Sequence, residues 1–395
     1  MTEAETTGEP AQAEEQKVSW SELFIDLVWV FGITQIAAAL AHGHGLGDVA
    51  LSLLLLLPLW WGWVGTTVYA NAAGARIETA YGRLVLFAVA GCVFTMAVAL
   101  PTAYGGGGLL FAGAYTVLRI VLWSAIRPLR FYGAPGLDPF GIGLFFAAPL
   151  FLAGGFLDGP WRVALWTVAA FTEIAGPRLL GKRLAGLHFE TAHLPERFGL
   201  FMIIVLGETI VATGSAAAAG AGAGRAPGPA VLGALALGFV LIVALWWTYF
   251  HFAASAVRHA LRTANVQARI VRDVFTYAHL AYVIALIGVA VGLKKLLAHP
   301  LEHPHSVLEL LLAPGAALYL LGFSYARWRM FGAPTVFRAA AAGLCLVLAA
   351  AAPLLPLVVT AALVAAILVA LNALEFFWVT TGRPLLLIPA PGARP

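Results

Sequence analysis

Charge is what this chain has least of. Of its 395 residues only 11% are Asp, Glu, Lys or Arg, whereas 61% are hydrophobic. Soluble domains carry about 25% charged residues, so water is not the main solvent of this one. Cysteine is nearly missing as well. Cys92 and Cys345 stand alone with no C-x-x-C spacing, which excludes a disulfide-stapled scaffold. The sequence holds no P-loop, no nucleophile elbow and no H-E-x-x-H helix. The glycine run 105–108 has no Lys-Ser/Thr behind it and reads as a turn. No cofactor is predicted. The first seventeen residues are acidic and lack the basic-then-apolar order of a signal peptide, so 1–17 is expected to be a solvated, disordered cytoplasmic tail.

Long apolar runs are what the chain does have. They predict twelve helices, at 18–41, 49–70, 81–101, 107–127, 139–157, 160–180, 195–218, 229–252, 272–298, 306–326, 335–352 and 354–380. At 1.5 Å per residue such runs match a hydrocarbon core of about 30 Å. Lipid offers the backbone no hydrogen-bond partner, and the runs are too long for barrel strands, so each must be helical. The expected fold is all-α: a polytopic membrane protein of about twelve transmembrane helices.

Basic residues orient it. With twelve spans, most Lys and Arg (Arg76, Arg83, Arg127, Arg130, Lys182, Arg183, Arg258, Arg262, Arg327, Arg329 among them) fall on the side of both termini. Only Arg162, Arg225, Lys294 and Lys295 fall opposite. This asymmetry predicts cytoplasmic termini. Because the bases are divided among short loops, no nucleic acid partner is expected. Arginine-rich, alanine-rich and glycine-rich composition points to a bacterial plasma (inner) membrane. The expected partners are the lipid bilayer and a small ion or solute, and an oligomer is left open.

The two halves resemble each other. LFIDLVWVFGITQ from Leu23 pairs with LFMIIVLGETIVA from Leu200, WWGW at Trp60 with WWTY at Trp246, and RIETAYGR from Arg76 with RIVRDVFTY from Arg269. Three matches in one order, six helices apart, predict a parallel 6+6 repeat. The halves would be 18–180 and 195–380 within a membrane domain 18–380, joined by a cytoplasmic connector at 181–194 and followed by a cytoplasmic tail at 381–395. Capping boxes at Ser19/Glu22 and Ser306/Glu309 and prolines at Pro139 and Pro195 mark helix starts. SAAAAGAGAGRAPGP after helix seven reads as a flexible external linker.

Charges inside apolar helices are the candidate functional groups, because an ionisable side chain in lipid costs several kcal/mol unless paired or neutralised. Glu22 and Asp26 are four apart, on one face of helix one. Arg197 starts helix seven at comparable depth and is expected to face them. Glu208, about four turns further in, has His279, Gln35 and Glu173 as its candidate mates, and Glu173 has nearby Arg178. The ion- or substrate-binding set is therefore Glu22, Asp26, Gln35, Glu173, Arg197, Glu208 and His279, with Asp26, Glu208 and His279 as acid/base candidates. Each also has a plain structural reading: a cap for Glu22, an interhelical lock for Asp26 with Arg197, a satisfied hydrogen bonder for His279. The tryptophan runs read first as interfacial or packing aromatics. Two histidine groups have metal-ligand residue types, His188, Glu190, His193 and Glu196, and His299, His303 and His305 with Glu302, the latter joined by His42 and His44. Solvated loop chemistry is the simpler account of both.

At ELFIDLVWVF, WWGW…YANAAG, HLPERFGLFMIIVLGETIVA and LWWTYFHF the chain resembles the bacterial low temperature requirement A (LtrA) family over about residues 18–380. The resemblance implies a polytopic bacterial inner-membrane protein, and the family name points to growth in the cold. Its recurring polar positions match Glu22, Asp26, Gln35, Asn71, Glu196, Arg197, Glu208 and His279. His251 stands where relatives often carry aspartate.

Three functions remain open. The first is a transporter or channel-like protein for a small ion or solute using intramembrane carboxylates. The second is an intramembrane enzyme acting on a lipid or isoprenoid-like substrate by acid/base chemistry. The third is a non-catalytic membrane sensor or scaffold.

Overall fold

The computed structural model describes residues 17–43, 45–133, 137–220, 226–251, 253–383 and 386. Most of the acidic tail, His44, the centre of the low-complexity linker and most of the C-terminal tail lie outside them. Among the described residues the chain is helical, with no β-strand. We number the long helices α1 (Trp20–Ala41), α2 (Leu46–Ala73), α3 (Ala80–Ala99), α4 (Gly108–Ile126), α5 (Pro139–Gly155), α6 (Gly159–Leu179), α7 (His193–Gly220), α8 (Pro229–Phe250), α9 (Gln267–Ala298), α10 (Leu312–Phe331), α11 (Val336–Ala351) and α12 (Leu357–Thr380).

Nine helices among the described residues are long and apolar enough to cross a membrane. Three of the expected twelve positions fall short. The helix α5 is shorter, α6 carries Arg162, Glu173 and Arg178, and α10 carries Arg327 and Arg329. Outward faces are apolar, as on α3, where Leu84, Phe87, Phe94 and Val98 are exposed. A surface of this kind is stable against lipid tails, not water.

Neighbour relations recur along the chain. In residues 18–180, α1 packs on α2 and α3, α3 on α4, α4 on α5, α5 on α6, and α6 returns to α2. In residues 195–380 the same order holds for α7 to α12, with α12 returning to α8. The two sets meet where α1 lies against α7 and α9, and where α2 touches α7. Trp60 reaches across this seam and donates from Nε1 to the Thr276 carbonyl at 3.2 Å. Trp61 and Trp63 are buried beside it, so WWGW is interior packing and not an interfacial belt.

Local chemistry explains most helix ends. Ser19 and Glu22 form the expected capping box on α1, and Asp138 caps α5 by accepting from Gly141 N at 2.8 Å. The box expected at Ser306 and Glu309 is not made. Glu309 instead accepts from His305 N at 2.7 Å, a 3-10 turn spans Val307–Leu310, and α10 starts at Leu312. Two helices contain wide π-helical turns, Gly143–Ala147 in α5 and Val271–Ala278 in α9. Gly288 and Gly292 form a G-x-x-x-G spacing on α9, Gly288 facing Gly315 and Gly292 facing Leu312 of α10. A Cβ on Gly315 would sit 2.9 Å from the Ala285 carbonyl oxygen, so only glycine permits this approach.

Candidate functional site

The opening turns of α1 and α7 come together at the seam, and their charges meet there. Glu22, Asp26 and Arg197 are each 0% exposed. Arg197 donates from Nη1 to Asp26 Oδ2, and its Nε lies 3.4 Å from Glu22 Oε1. The second Asp26 oxygen accepts from Trp63 Nε1 at 2.8 Å. Glu22 accepts from Ser19 N at 3.0 Å and Ser19 Oγ at 2.9 Å, and its Oε1 is 3.0 Å from His193 Nε2.

The tautomer of His193 follows from its neighbour. The Glu190 backbone orients the Asn71 amide by donating to its Oδ1 at 3.2 Å and accepting from its Nδ2 at 3.3 Å. That Nδ2 is also 3.3 Å from His193 Nδ1, so Nδ1 accepts and Nε2 carries the proton donated to Glu22. Each carboxylate thus has its own compensation. Glu22 has three donors and the positive end of α1, and Asp26 has a guanidinium and an indole N–H. The arrangement ties α1, α2 and α7 together. It is a lock.

The remaining predicted residues are dispersed. Glu173 does not meet Arg178, whose guanidinium lies over the Tyr277 ring. It pairs instead with Arg119 and Tyr115 of α4, all buried. Glu208 meets none of its three expected mates. It is half-buried on α7, near the Thr34 hydroxyl of α1, which donates to the Val30 carbonyl at 3.0 Å. Gln35 is half-buried on α1. His279 bonds Tyr249 Oη at 2.8 Å and the Val274 carbonyl at 2.9 Å. Asp26, Glu208 and His279 therefore do not form an acid/base group: Arg197 and Glu208 alone are about 16 Å apart along α7.

The histidine groups do not converge either. His193 is buried against Glu22, while His188, Glu190 and Glu196 are exposed. His299 and His305 contact Glu302 at 3.2 and 3.6 Å on the surface, and His303 is exposed beside them. No set of three or more potential ligand side chains is gathered among the described residues.

A cavity of about 280 Å³ opens near the Arg-rich end of the second set of helices. Its wall includes His279, Tyr249, Tyr282 and Phe323, and Pro195 of the first turn of α7 edges it. The short amphipathic helix Ala253–Thr263 contributes Ala256 and Val257. Tyr282 stacks on Phe323 at 4.5 Å between ring centres. At the polar end Arg338 donates to both oxygens of Glu375, at 2.7 and 2.8 Å, and Arg327 lies nearby without a carboxylate contact within 4 Å. Sequence reasoning missed Glu375 and Arg338. The signal was present, since NALEFFW places a carboxylate inside the last apolar run.

The lock and the cavity adjoin. Phe198, one residue after Arg197, packs on Trp63 at 4.6 Å and on His279 at 4.7 Å between ring centres. An aromatic column therefore connects the helix seam to the cavity wall.

Comparison with known proteins places this architecture. A curated uncharacterized protein of Rhizobium meliloti (strain 1021) is 31% identical over 324 residues, covering 78% of this chain and 76% of that protein. No solved structure matches. The family described as bacterial low temperature requirement A protein (LtrA) matches residues 17–373, nearly the whole chain. The chain belongs to that family.

Proposed function

We propose that this chain is a transporter-like protein of the bacterial plasma membrane, taking up a small ion or solute at the cavity between α8, α9, α10, α11 and α12. In this reading twelve helices span the bilayer as two parallel halves, 18–180 and 195–380, with both termini cytoplasmic. The recurring neighbour order supports the repeat. The observation that carries the transport reading is the cavity itself, which puts His279, Arg327, Arg338 and Glu375 around one chamber inside an apolar bundle. Ionisable groups at such depth mark pathways.

The lock serves as the fixed contact between halves. Glu208 lies thirteen residues beyond Pro195 on the same helix, about 20 Å deeper, and is half-buried. In this reading it accepts an ion or proton further along the path. The test is flux in proteoliposomes, screened for protons, monovalent cations and organic monoanions. Glu208→Gln should abolish the flux while the melting temperature is kept; an unchanged flux removes Glu208 from the path. A scaffold reading is favoured by the buried ion pair of the lock alone, and it would stand if the wild type moved nothing while Arg197→Gln still abolished the cellular role.

A further inference from the structure

The polar end of the cavity is unsatisfied. Thr335 Oγ1 and Arg327 Nε are both buried atoms with no hydrogen-bond partner among the described residues, and both residues line the cavity. Thr335 is only 6% exposed, and its hydroxyl does not cap the helix that it precedes. Buried donors are nearly always paired, so two orphans on one cavity wall call for an acceptor brought in from outside.

Charge defines that acceptor further. Arg338 and Glu375 neutralise each other through two hydrogen bonds, leaving Arg327 as the uncompensated cation of the group. Its guanidinium rests over the Phe331 ring, 5.1 Å from the centre. The site therefore has one net positive charge at one end. Elsewhere its walls are Phe275, Tyr282, Phe323, Met330 and Val379. A volume of about 280 Å³ holds a head group and a short apolar body, so a diacyl lipid would enter by its head group and leave its tails in the bilayer.

Resting on the uptake reading above, we infer that the cavity binds a monoanionic amphiphile, whose acid oxygens accept from Arg327 and Thr335 while its apolar part lies against the aromatic wall. The acid can be a phosphodiester or a carboxylate, and can come from the bilayer or from the cytoplasm; the chemistry recognised is the same.

The experiment uses the full chain in phosphatidylcholine nanodiscs, with radiolabelled dodecanoate as probe and empty discs subtracted. Saturable binding of one dodecanoate per chain is expected, with no competition from dodecanol, which has the chain but not the charge. Arg327→Gln should weaken binding by about tenfold or more, the loss expected for a charge-assisted hydrogen bond. Thr335→Val should weaken it by about fivefold, with melting unchanged. Replacing part of the disc lipid by phosphatidylglycerol will suppress binding if the source is the bilayer; 3-phenylpropanoate will do so if it is the cytoplasm. Equal competition by dodecanol, or an unaltered affinity in both folded variants, overturns the assignment. If Arg327→Gln does not fold, Thr335→Val and the dodecanol comparison still decide. Charge-dependent binding without any flux would keep this ligand and remove transport. Flux with no preference for the anion would do the reverse.

Discussion

Breaking the lock between α1 and α7 gives the most direct test of how this bundle is held together. Arg197→Met would strand the carboxylates of Asp26 and Glu22, both fully buried, without their cation. Removing one partner of such a pair costs about 3–5 kcal/mol, because the surviving charge stays out of water. Asp26→Leu strands the guanidinium less severely, since Glu22 Oε1 remains 3.4 Å from its Nε. About 2–3 kcal/mol is expected for that variant. The double variant replaces an ion pair by two apolar side chains, and Glu22 keeps Ser19 and His193. It should be no less stable than Arg197→Met alone, giving a coupling of at least ~2 kcal/mol. Reversible unfolding in mixed micelles, followed by tryptophan fluorescence, measures all four corners of the cycle. Additive losses, with coupling near zero, would show that the two side chains do not act as a pair and would refute the account.

Other consequences can be checked singly. Glu173→Gln should lower the melting temperature, and Arg119→Met in the same chain should recover much of the loss, because the second change removes the stranded guanidinium. Gly315→Ala should cost about 1–3 kcal/mol by pushing α10 off the Ala285 carbonyl, which thermal melting will report. Replacing His299 and His305 by alanine should change stability by less than about 0.5 kcal/mol, as both are exposed. A zinc-dependent melting shift in the wild type that vanished in that variant would contradict this.

Much of the fold was legible because lipid leaves few alternatives. The apolar runs place nearly every helix within a few residues of where it lies. The pairing of Arg197 with Asp26 followed from position alone, as each lies in the opening turns of its helix. Reasoning from the nearest charge in sequence failed for Glu173, whose partner Arg119 is 54 residues away. It failed for Glu208 as well, because that side chain lies near an uncharged threonine of α1 that no charge pattern flags. Arg338 lies 37 residues from Glu375 in the chain, so their bond was not visible before the helices were placed. The orphaned Thr335 hydroxyl could not be read at all, since an unmade bond appears only once the neighbours are placed.

The wide turn at Val271–Ala278 has a further geometric meaning. Thr276 Oγ1 and the His279 ring both reach carbonyls five residues back, Val271 and Val274, instead of the usual four. The segment thus holds one residue more than its path needs. Deleting a single residue there would restore ordinary winding and leave both ends of α9 on their present faces, whereas the same deletion elsewhere would swing one end by about 100°. Family members whose α9 differs by one residue should carry the extra or missing residue at this turn, directly before the histidine.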